Sequence, residues 1–128
     1  MNHRVLFICS RNQWRSPTAE EVYRRHSALQ VRSRGTRRSA RRQVTFDDLR
    51  WADLICVMES KHQQHLLAGF PDVMRHKTVH VLDIPDDYRY LDPELVDQIR
   101  SAMDPVIETL PSRDVSENPD GDSSTLET

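Results

Sequence analysis

Four short apolar runs alternate along the chain with stretches of helical spacing, and this alternation limits the fold more than any other feature. The runs are Arg4 to Cys9, Leu29 to Ser33, Asp53 to Met58 and Thr78 to Leu82, each rich in Val, Ile, Leu or Phe and each short enough to be a strand. Pro17 to Ser27, Phe46 to Trp51, Ser60 to Phe70 and Pro93 to Leu110 carry the helical spacing. Elements in the order β-α-β-α-β-α-β-α predict a parallel sheet covered by helices on both faces, with right-handed crossovers. Val5-Leu6-Phe7-Ile8 is apolar at every position, as a strand buried on both sides must be. In such open sheets a ligand sits beyond the carboxyl ends of the strands, where the winding reverses. For strand order 2-1-3-4 that point lies between strands 1 and 3. The loop that begins at Cys9 is thus the expected site before any motif is read.

A chain of 128 residues supports one core. Residues 1–110 are expected to form that domain. From Pro111 to Thr128 five acids stand against one base, and large apolar side chains are nearly absent. Burial there cannot offset the ordering entropy, so 111–128 is expected to be a disordered acidic tail. The longest apolar run, Val5 to Cys9, is a fraction of a membrane span, and no membrane association is expected. Met1-Asn2-His3-Arg4 offers neither an apolar h-region nor a small-residue cleavage site, and the two cysteines have no framework spacing. The expectation is a reducing cytoplasm with free thiols.

The loop Cys9-Ser10-Arg11-Asn12-Gln13-Trp14-Arg15-Ser16 contains no proline, so every residue contributes a backbone N–H. Ser16 reads as the helix N-cap, with Pro17 at a first helical position where its missing N–H costs nothing. Several N–H groups converging at a helix N-terminus make a nest for a tetrahedral anion. Arg4, Arg11 and Arg15 all precede the first acid, Glu20, and the field that holds an anion also favours a thiolate at Cys9. Arg15 offers a planar fork to two oxygens, which a lysine cannot do. A lone cysteine is more often simply buried. A cysteine closing a strand at the switch point, with arginine six residues on and Ser-Pro opening a helix, weighs against that reading.

The segment from Val5 to Pro17 resembles the N-terminal signature of the low-molecular-weight protein tyrosine phosphatase family: cysteine, five residues, arginine, serine. Ser33-Arg34-Gly35-Thr36 is similar to that family's Ser-Ala-Gly-Thr, and Ala52 to Met58 resembles its third strand. Asp86-Asp87-Tyr88 stands where the family has Asp-Pro-Tyr, whose first residue is the general acid. The resemblance implies a flavodoxin-like α/β three-layer sandwich with a four-stranded parallel sheet, order 2-1-3-4. It implies phosphomonoester hydrolysis through a phosphocysteine, with Cys9 as nucleophile, Arg15 as phosphate clamp, Asp86 as acid and no metal. Ser10, Arg11, Asn12, Gln13, Trp14, Ser16 and Tyr88 would line the phosphate and substrate site. The sequence also departs from the pattern. Arg11 replaces a glycine and adds charge at the mouth. Trp14 replaces a second loop cysteine, which removes the protective disulfide many members form. Asp87 replaces the proline, so Asp83, Asp86 and Asp87 all stand as candidate proton donors, with Asp86 favoured by register.

Arg32, Arg34, Arg37, Arg38, Arg41 and Arg42 fall within eleven residues after strand 2. They read either as a solvated face or as a surface that steers a polyanion. Trp14, Tyr88 and Tyr90 are candidate walls for an aryl ring, and Cys56 is a candidate core residue. His62 and His65 lie one helical turn apart without a third ligand, so no metal is expected. The three glycines are isolated, which excludes a glycine-rich nucleotide loop, and no cofactor is expected. The expected partner is a phosphorylated protein or another aryl or polyanionic phosphate, with inorganic phosphate as product; nucleic acid stays open as the weaker choice. Three rival functions share the loop: an arsenate reductase, for which Cys56 alone is too few spare cysteines, a phosphocarrier, and a silent phosphate-binding module.

Overall fold

The computed structural model describes residues 2–111. Four parallel strands form one sheet: β1 (His3–Cys9), β2 (Leu29–Gly35), β3 (Leu54–Val57) and β4 (Thr78–Val81), in the order β2-β1-β3-β4. Five helices connect or follow them: α1 (Arg15–Tyr23), α2 (Phe46–Trp51), α3 (Ser60–Gly69), α4 (Pro71–Met74) and α5 (Pro93–Glu108). Within β1 the pleat divides the core. Val5, Phe7 and Cys9 face a layer that includes Ala19 and Tyr23 of α1 and Leu95, Ile99 and Met103 of α5. Leu6 and Ile8 face Leu49 of α2, Leu66 of α3 and Met74 of α4. Leu6, Phe7 and Ile8 are fully buried, and each such burial contributes about 1.5–3 kcal/mol. The fold is the expected flavodoxin-like sandwich of helix, sheet and helix.

Several boundaries differ from the sequence reading. β2 runs on to Gly35, held in register opposite Cys9, because Arg32 and Arg34 find a buried partner in Asp48. Asp53, Met58 and Leu82 lie just outside the strands. α1 ends at Tyr23 instead of Ser27, since Arg24, Arg25 and Ser27 have no apolar face to bury. α4 is a single turn opened by Pro71, too short to show periodicity in sequence. α2 has the expected bounds, with a capping box formed by Thr45 and Asp48.

Among the described residues no helix is long and apolar enough to cross a membrane. The acidic stretch proposed as a tail lies outside the described residues except for Pro111, whose carbonyl accepts a hydrogen bond from His3 Nε2 at 2.6 Å.

Candidate active site

Cys9 ends β1, Met58-Glu59 follow β3, and Leu82 to Asp86 follow β4, so three strand ends deliver side chains to one edge of the sheet. The chain beyond β4 stays in register with that edge. Leu82 N donates to Val57 O at 2.8 Å and Ile84 N to Met58 O at 2.9 Å. A small hollow lined by Cys9, Arg11, Gln13, Trp14, Arg15 and Asp86 opens there.

The loop owes its shape to Asn12, which is fully buried with φ 54°. Asparagine tolerates this left-handed conformation better than most residues. Arg11, standing in place of glycine, is spared it. Asn12 Nδ2 donates to Ser16 Oγ and to Ser33 Oγ, both at 2.9 Å, and Ser33 Oγ donates onward to Glu20. Ser16 Oγ lies 3.0 Å from Cys9 Sγ. With the Asn12 amide donating to the Ser16 oxygen, the hydroxyl proton has two acceptors in reach, Cys9 Sγ at 3.0 Å and Arg34 O at 3.4 Å.

This arrangement corrects the reading of Ser16 as N-cap. The helix starts two residues earlier, at Arg15, with Trp14 at the cap position and no side-chain cap bond; Pro17 is third, not first. Ser16 is drawn inward by Asn12 and Cys9. Among the described residues no side chain caps the first turn of α1, which leaves its N–H groups to an anion.

Arg15 is 2% exposed. Its Nη1 donates to Glu59 Oε1 at 2.7 Å and to Ile84 O at 2.9 Å. Among the described residues nothing else hydrogen-bonds the guanidinium. Its Nε/Nη2 edge, the fork suited to a phosphoryl group, thus has no hydrogen-bond partner among them and is ion-paired at Nε with Asp86 Oδ1 at 3.5 Å. The hydrogen bond from Arg15 holds the Glu59 carboxyl below the usual value for Glu, despite an opposing effect of burial.

His62, on the first turn of α3, is 1% exposed. Its Nδ1 accepts from Glu59 N at 3.0 Å, so Nε2 carries the proton and donates to Ser10 Oγ at 2.9 Å. Burial, followed by the Arg15 charge, pushes its pKa down to about 4, and the ring is neutral at pH 7. With both nitrogens engaged it is a prop for the loop. Among the described residues no group of three or more His, Cys, Asp or Glu could hold a metal.

Asp86 is exposed, with Asp83 (φ 58°) and Asp87 beside it. The segment carrying it is tied down at several points: Leu91 N donates to Thr18 Oγ1 at 2.9 Å, and Tyr88 Oη bonds Glu94 and Gln98 of α5. Tyr88 packs against the core and does not line the hollow. Trp14 lines it, and Tyr90 lines a neighbouring one together with Trp14. Cys56 is fully buried in β3, with its thiol pushed up to about 12 by burial.

The arginine run splits in two. Arg32 and Arg34 pair with the buried Asp48, and Arg32 also lies over the Trp51 ring at 4.1 Å, so both serve the fold. Arg37, Arg38, Arg41 and Arg42 are exposed.

Glu59 and His62 went unrecognised as site residues in the sequence. Their signal was position alone, directly after the strand that adjoins β1.

No family model and no curated protein matches the sequence. Solved structures do match. SP-PTP, a low molecular weight protein tyrosine phosphatase from Streptococcus pyogenes, superposes with TM-score 0.72 at 20% identity, over 88% of this chain and 95% of its own. The tyrosine phosphatase Wzb from Escherichia coli K30, solved in complex with phosphate, gives 0.71 at 22% identity, over 87% of this chain and 100% of its own. The YwlE arginine phosphatase from Geobacillus stearothermophilus gives 0.61 at 19%, over 83% and 94%. The chain shares its fold with these phosphatases.

Proposed function

We propose that the chain is a phosphomonoester hydrolase of the low-molecular-weight tyrosine phosphatase type, acting on phosphorylated protein through a phosphocysteine on Cys9. The observation that carries this reading is the convergence of Cys9, Arg15 and Asp86 on one hollow, with the Nε edge of Arg15 facing Asp86 Oδ1 at 3.5 Å.

In the first step the Cys9 thiolate attacks phosphorus and the bond from phosphorus to the ester oxygen breaks. Ser16 Oγ–H stabilises the sulfur before attack and again as it leaves. The Nε/Nη2 edge of Arg15 and the loop N–H groups meet the equatorial oxygens, where removing one such donor typically costs about 10²–10³ in kcat. Asp86, protonated, passes its proton to the departing ester oxygen, a contribution of about 10²–10⁴. In the second step water attacks phosphorus, the S–P bond breaks, and Asp86 takes the water proton. Inorganic phosphate and the thiolate are released. Trp14 supplies a wall for the aryl ring, and Tyr88 acts at a distance by anchoring the Asp86 segment to α5. No cofactor takes part. Cys9 and Cys56 are both free thiols, which fits the cytoplasmic expectation.

Para-nitrophenyl phosphate tests the reading. Repeated turnover that vanishes in Cys9→Ser, while phosphate binding persists, is the expected result. A single labelling event points to a carrier, binding without reaction to a silent module, and a tenth of the activity surviving in Cys9→Ser would sink the covalent mechanism.

A further inference from the structure

Beyond Trp14 lies a second hollow of about 540 Å³, which shares Gln13 and Trp14 with the first. Tyr90, 48% exposed, forms part of its wall. Arg24, Arg41, Arg42, Glu20 and Glu21 also line it. These charges are not equally available. Glu21 is taken by Arg24 at 3.2 Å, and Glu20 accepts from Ser33. Arg41 Nε donates to Asn12 O at 3.1 Å, and among the described residues neither Arg41 nor Arg42 has a carboxylate partner. Three arginines against two glutamates leave the lining with a net positive charge, to which Arg41 and Arg42 contribute without a carboxylate partner among the described residues.

The arginines sit on a connection that is fixed to the catalytic loop, although it has no regular structure. Thr36 N donates to Cys9 O, Arg37 N to Ser10 O and Arg41 N to Arg11 O, at 3.0, 2.9 and 2.9 Å. Their backbone is thus registered against the loop that receives the phosphoryl group.

Building on the phosphatase reading, we propose that this hollow is a second subsite. It takes an acidic side chain of the substrate polypeptide, within a few residues of the phosphorylated one, and gives the enzyme a preference for acid-flanked phosphoproteins. The flanking backbone crosses Trp14 to reach Arg42. A nucleic-acid strand suits the hollow less well, because a continuous phosphate backbone would meet Glu20 and Glu21, whereas grooves for such strands are positive along their length.

The test uses two phosphotyrosine peptides, one with three acidic residues on each side and one with the matching amides, and p-nitrophenyl phosphate as baseline. For the unaltered protein at low salt, kcat/KM is expected to favour the acidic peptide by about three- to tenfold, as for one or two exposed ion pairs. The ratio should shrink toward one at 0.5 M salt. In Arg42→Glu the ratio should fall below one. Equal values for the two peptides alongside normal baseline turnover would overturn the subsite. So would a preference untouched by Arg42→Glu, or faster turnover of a 5′-phosphorylated oligonucleotide than of the acidic peptide. Failure of the baseline reaction counts against the phosphatase reading instead; the subsite is then judged by titrating both peptides against the Cys9→Ser protein, where tighter binding of the acidic one supports it and equal binding overturns it.

Discussion

Arg15 Nη1 and Glu59 Oε1 lie 2.7 Å apart, a near-buried guanidinium held at one end by a carboxylate from the turn between β3 and α3. The pair fixes which edge of Arg15 is bonded and which is left for a ligand. It also places a negative charge close to the anion site, so the geometry gains what the raw attraction for phosphate loses.

Glu59→Gln should for that reason lower kcat on p-nitrophenyl phosphate by about tenfold or more, through loss of alignment, without raising KM. A raised KM with unchanged kcat would contradict the positioning role. The carboxyl is held below its usual value, so its stabilising effect is complete above the usual Glu value of about 4.3 and is lost as pH falls through the lowered one. Urea midpoints of the two proteins should accordingly converge as pH falls below the usual Glu value.

His62 gives a window at higher pH. Its folded pKa is about 4 against about 6.5 unfolded, so between these values the unfolded chain binds more protons. Stability should fall as pH drops from about 6.5 to about 4, by on the order of 3 kcal/mol, and this group should add nothing below that. In His62→Gln the urea midpoint should vary less over the same range. An equally steep profile in the variant would show that another group is responsible.

Gly35 sits where the arginine connection crosses the catalytic loop. A Cβ there would lie 2.7 Å from Ser10 O, 2.9 Å from Asn12 N and 2.6 Å from Ala40 Cβ. Two of these are backbone atoms of the loop. Gly35→Ala should cost roughly 1–3 kcal/mol and lower kcat as well, since the relief must come from the loop. Chemical denaturation and steady-state kinetics on the same preparation test both halves; full activity with reduced stability would mean that the strain is relieved at Ala40 instead.

Asp86 and Asp87 make different predictions despite adjacency. Asp86 lines the hollow 3.5 Å from Arg15 Nε, and Asp87 does not line it. Asp86→Asn should remove the alkaline limb of the kcat profile and cost about a hundredfold, less with good leaving groups. Asp87→Asn, at a carboxyl that does not line the hollow, should cost far less in rate. A swap of the two behaviours would make Asp87 the donor.

Local patterning alone determined much of this protein. The β-α alternation, the doubly buried Val5-Leu6-Phe7-Ile8 and the resemblance at Cys9 to Pro17 were legible because they depend on neighbours in sequence: side-chain period, turn chemistry and the place of a cysteine at a strand end. Tertiary structure decided which atoms those residues meet. Ser16 looks like a helix cap in sequence and instead faces sulfur, because a left-handed Asn12 pulls it inward. The arginine run looks uniform, yet buried Asp48 takes two of its members into the fold and leaves the rest exposed. Glu59, His62 and the carbonyl of Ile84 reach the loop from 44 to 69 positions away. A hydrogen bond acts over about 3 Å of space whatever the distance along the chain, so such partners are fixed only when parallel strands bring their carboxyl ends to one edge.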